Sequence, residues 1–157
     1  YDIKMDFTPV WDVLFIFAFL AAGFFYGVFL GKARLLAFMI GLYISISITP
    51  VVSGYIPYAQ NITPVFLFFA VTITVSVVLY VSLFRGRRMG DGGWWQVLIA
   101  SFLAMGLLLS EVGRLLPASY QLTLSPQVRA YMLSDAAYLF WLLMPLLGIC
   151  VVSRKVE

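Results

Sequence analysis

Apolar residues in this chain gather into five long blocks, and charged residues are almost confined to the short segments between them. A bilayer core about 30 Å thick takes roughly 20 helical residues to cross, and the blocks approach that length. Membrane β-strands would instead alternate over roughly ten residues, about half the length of these runs. A backbone group left unpaired in lipid is costly, so a helix is the only open-ended element that can span. The pattern predicts an all-α, polytopic transmembrane helical bundle, a single domain over residues 1–157, with spans at 9–30, 35–52, 65–84, 94–113 and 136–152. Four spans are the fallback, should the last block only re-enter the membrane. Thr8, Pro9 and Asp12 supply a cap, a first-turn proline and an acid matched to the helix dipole at the start of span one. Pro50 and Pro145 fall inside blocks two and five, where Pro145 would free a carbonyl for a hydroxyl from a neighbour.

Charge gives the blocks a direction. Lys32 and Arg34 lie between spans one and two, Arg85, Arg87 and Arg88 between three and four, and Arg154 and Lys155 after five. Those seven of the ten basic residues share one side, which the positive-inside rule makes cytoplasmic. The N-terminus is then outside and the C-terminus inside. The other side holds Lys4, Arg114 and Arg129 among the acids Asp2, Asp6, Asp12, Glu111 and Asp135. A net charge of +3 does not signal nucleic acid, because the basic residues sit in short segments where anionic lipid attraction accounts for them. No signal peptide is evident before span one, and Met5 stands as an alternative start.

Composition narrows the chemistry further. The chain is 63% hydrophobic and 11% charged, against about 25% charged in a typical soluble domain. Histidine is absent and Cys150 is the only cysteine, so no internal disulfide, bound zinc or imidazole-ligated cofactor is expected. Ser53, Ser110 and Ser134 have no histidine to activate them. The glycines from Gly90 to Gly93 lack the strand and helix context of a phosphate loop. Enzyme is the weakest functional class.

Three sets of residues remain as candidates. Gly23, Gly27 and Gly31 recur every fourth residue on one face of span one, where small residues let another helix approach closely. Packing within the chain is the favoured reading of that face, and contact with a partner subunit the alternative. Ser45 and Thr49 share a face of span two, as Thr72 and Ser76 share one of span three. They are a candidate polar path, although hydroxyls bonded one turn back on their own helix explain them more simply. Glu111 and Arg114 are spaced to form an ion pair on one helix face near the outer interface. Between spans four and five, Ser125-Pro126 could open a short interfacial helix through Tyr131 and Met132.

Asp12, the Gly-Phe-Phe-Tyr-Gly stretch from Gly23 to Gly27, the short basic turn after it and the glycine-rich turn before span four together resemble the colicin V production (CvpA-like) small membrane proteins. The likeness covers roughly Asp12 to Ser110, and the fifth span departs from the four usual in that family. It implies a bacterial inner-membrane protein linked to envelope or export processes, and carries over no agreed biochemical activity. The favoured expectation is a non-enzymatic subunit that scaffolds or anchors a larger membrane assembly, with lipids and other membrane subunits, or further copies of itself, as partners. A small oligomeric channel or transporter lined by the hydroxyls of spans two and three is the alternative.

Overall fold

A chain this apolar must close its backbone hydrogen bonds within its own segments, and the computed structural model is helical from end to end of the described residues, 8–56, 62–84, 94–121 and 124–153, with no strand among them. The elements are α1 (Thr8–Gly54), α2 (Thr63–Leu79), which widens into a π-type turn over Tyr80–Phe84, and α3 (Trp94–Leu115). Two short helices follow, α4 (Ala118–Gln121) and α5 (Pro126–Val128), the latter continued by a second π-type turn, Arg129–Leu133. The last is α6 (Asp135–Ser153).

The first two sequence blocks are not separated by a loop. They form one helical element, α1, broken at a single residue, Gly31, with φ 75° and ψ 166°. That backbone region is essentially reserved for glycine, and one residue there reverses the chain. The reversal is read from the neighbours: Gly23 lies against Met105 of α3, Lys32 reaches Gln96 near the start of α3, and Met39 returns beside Gly148 near the Leu103 level. Lys32 and Arg34, expected in a turn, are instead already in helix.

From there the segments alternate in direction. The arm Gly31–Gly54 runs antiparallel to α2, with Gly41 against Ser76, and α6 runs antiparallel to α3, with Gly106 against Trp141 and Gly148 against Leu103. A Cβ on Gly23, Gly41 or Gly106 would collide with the side chain opposite, so these glycines set how closely the helices pack. The interior between the elements is filled by Leu35, Met39, Leu42, Phe68, Ala104 and Leu107, all buried.

Among the described residues three helices are each long and apolar enough to cross a membrane: Gly31–Gly54, Thr63–Leu83 and Trp94–Leu115. A fourth is reached if Pro126–Leu133 and Asp135–Cys150, bent by 48° at their junction, form one broken span. The short helix expected after Ser125-Pro126 is present, although the Ser125 side chain does not cap it. Block two also runs on through Pro50 as far as Gly54, and α2 begins at Thr63 with Pro64 in its first turn.

Candidate functional site

Two polar groupings interrupt the apolar bundle. The first is the seam between the Gly31–Gly54 arm and α2. Ser45 and Thr49 are both 0% exposed, Thr72 is 1% exposed, and Ser76 is pressed against Gly41. Ser76 thus lies against the Gly31–Gly54 arm, and the other three hydroxyl residues are buried on the same two helices. Ser45 Oγ donates to the Gly41 carbonyl at 2.7 Å, one turn back on its own helix. The buried oxygens of Thr49, Thr72 and Ser76 have no hydrogen-bond partner among the described residues.

The second grouping lies at the far end of α3. Glu111 is only 6% exposed and lies near the phenol of Tyr138. Arg114 does not take Glu111 as its direct ion-pair partner. Its Nη1 donates to Asp135 Oδ1 at 3.0 Å, and its guanidinium sits 4.3 Å from the centre of the Tyr138 ring. Helix spacing puts Glu111 and Arg114 near one another, and they interact through space. Glu111 is turned into the contact with α6, whereas Arg114 extends toward an aspartate that is 94% exposed. Being at the surface, the Arg114–Asp135 pair contributes little to stability.

The broken backbone around this cluster is stitched by side chains. Ser110 Oγ donates to the Met132 carbonyl at 2.6 Å, and Trp141 Nε1 donates to the Tyr131 carbonyl at 3.1 Å. Both carbonyls belong to the last turn before the bend, where no helical N–H remains to pair with them. The Gln121 amide closes α3 by donating to the carbonyls of Gly113, Arg114 and Leu116 at 3.1, 3.3 and 2.8 Å. Ser134 caps α6, its Oγ accepting from the Ala137 N–H at 3.3 Å.

Pro145 is fully buried in α6, and the ladder around it is opened by a side chain from another helix. Tyr43 Oη donates to the Leu142 carbonyl at 2.6 Å and also meets the Leu146 backbone. The carbonyl that Pro145 leaves without an N–H is that of Trp141, one residue before the Leu142 carbonyl taken by Tyr43, a tyrosine that the sequence pattern did not single out. At the opposite end of the bundle Lys32 Nζ donates to Gln96 Oε1 at 3.3 Å, and the Arg34 guanidinium lies 5.1 Å from the centre of the Tyr80 ring.

The glycine face of span one divides. Gly23 packs on Met105 within the chain, and Gly31 is the bend itself, with open space where a Cβ would stand. The surroundings of Gly27 lie outside the described residues, as do the side chain of Asp12 and the basic segment holding Arg85, Arg87 and Arg88. Among the described residues no group of three or more acids, cysteines or histidines could hold a metal ion. Compared with known proteins, the chain matches no family model, and neither the curated proteins nor the solved structures give a significant match.

Proposed function

We propose that this protein is a non-enzymatic integral membrane subunit that scaffolds or anchors a larger membrane or envelope assembly. In this reading five spans cross a bacterial inner membrane, with the N-terminus outside and the end bearing Lys32 and Arg34 facing the cytoplasm. One observation carries it: α2 is scarcely covered by its own chain. Only 17% of its most apolar stretch is buried, against 44% for the Gly31–Gly54 arm and 56% for α3. Phe66, Ile73, Val77 and Val78 all project outward from it and are more than half exposed. A helix held on one narrow seam leaves most of its circumference for another membrane subunit. The resemblance to colicin V production proteins supports the envelope setting.

A small oligomeric channel is the second reading. The unpartnered hydroxyls of Thr49, Thr72 and Ser76 favour it, since a polar path requires such groups. Against it, the seam holding them is closed by the contact of Gly41 with Ser76 inside one chain. The two readings respond differently to mutation. For a scaffold, Val77→Trp on the bare face of α2 weakens association with the partner, while Thr72→Val and Ser45→Ala leave it intact. Should the two hydroxyl removals abolish a flux through reconstituted vesicles while association persists, the channel reading replaces the scaffold.

A further inference from the structure

Where α3 meets α6, the flank of the bundle carries a groove of about 400 Å³. Its walls are Ile99, Leu103, Met144 and Leu147, and one end is formed by Trp95 and Gln96. Ile99 and Leu147 are 46% and 59% exposed, so the groove opens sideways, toward what surrounds the bundle. The lining is apolar apart from Gln96, which is 3% exposed and accepts the hydrogen bond from Lys32 Nζ. Among the described residues no carboxylate pairs with Lys32. Trp94 and Trp95 stand at the same end, and tryptophan favours the headgroup level of a bilayer.

We propose that this groove binds one anionic glycerophospholipid, with an acyl chain along Ile99, Leu103 and Leu147 and the phosphate at Lys32 and Gln96. A slot that opens into a bilayer is filled by acyl chain unless protein covers it. What would make this slot selective is the Lys32 cation, 3.3 Å from the Gln96 that forms one end of it. The lysine ammonium has three donors and Gln96 takes one of them, so two remain for phosphate oxygens, beside the donors of the Gln96 amide. From Gln96 to Leu103 the groove runs seven residues of helix, about 10 Å at 1.5 Å per residue, which suits a chain segment end-on to its headgroup. An apolar partner helix in the same slot would leave the Lys32 charge unmatched.

The test uses the full chain in mild detergent, offered equal amounts of phosphatidylglycerol and phosphatidylcholine with identical acyl chains, and read by native mass spectrometry. The wild type is expected to retain phosphatidylglycerol preferentially. Lys32→Gln should lower that retention roughly fivefold, the effect of one basic residue at an anionic surface, and lower retention of zwitterionic phosphatidylcholine by less. Arg34→Gln is the control, because Arg34 lies at the same end but faces Tyr80 of the α2 segment; it should change nothing. Ile99→Trp, at a half-open wall position, should displace both lipids by filling the groove. Absence of a preference in the wild type overturns the site, as does an equal loss in Lys32→Gln and Arg34→Gln, which would mark a diffuse basic surface. If Lys32→Gln loses its helical circular dichroism, Ile99→Trp decides alone: unchanged lipid retention in that variant also overturns the proposal.

Discussion

Hydroxyls that donate a hydrogen bond in this bundle fall into two kinds, and the difference is visible one residue at a time. Ser45 returns its hydrogen bond to Gly41 on its own helix. Tyr43 and Ser110 instead reach across, to carbonyls of Leu142 and Met132 at places where the helical ladder is open. Removing a cross-helix donor leaves its acceptor buried without a partner, whereas removing an intrahelical one exposes no new polar group. Tyr43→Phe and Ser110→Ala are therefore expected to destabilise the protein by about 1 kcal/mol each, and Ser45→Ala by much less. Reversible unfolding in mixed micelles, followed by tryptophan fluorescence, measures all three. Equal losses would show that the cross-helix bonds add nothing specific. Helix spacing alone puts Ser45 and Thr49 on one face and Thr72 and Ser76 on another. The bond of Tyr43 was not legible, because it depends on where α6 lies relative to α1, and no local spacing encodes that.

At the scale of elements, block length and proline position were readable because they depend on short-range chemistry. Helices follow each block, Pro64 enters the first turn of α2, and Pro126 starts a short helix where expected. The reversal at Gly31 was hidden for a physical reason. Lysine and arginine are good helix formers with stems that lie along apolar surface, so Lys32 and Arg34 mark the end of the bundle without requiring a loop. A glycine read as the third member of a packing face is in fact the hairpin. The partner of Arg114 was missed similarly: Glu111 is three residues away in sequence, but Asp135 is brought in by the fold. Gly31→Val forces a branched residue into a region suited to glycine and is expected to cost about 1–3 kcal/mol. Spin labels at Phe17 and Ile48, both exposed, would then show the narrow distance distribution of the hairpin broadening and lengthening. An unchanged distribution at unchanged stability would mean that the turn is held by its flanking helices and not by glycine.

The whole molecule has two unlike ends and apolar flanks that its own chain leaves exposed. One end joins Lys32 to Gln96 and Arg34 to Tyr80. The other gathers Glu111, Arg114, Asp135 and Tyr138 around the bend between α5 and α6. Between them α2 presents a long apolar surface that its own chain leaves bare. Under the scaffold reading proposed above, that surface takes another membrane subunit. The most direct measurement is native mass spectrometry of the protein extracted gently from its native membrane. A second, different protein released with it in fixed stoichiometry is the result the scaffold reading predicts. A closed ring of identical chains that conducts when reconstituted would contradict it, and would return the hydroxyl seam to the centre of the mechanism.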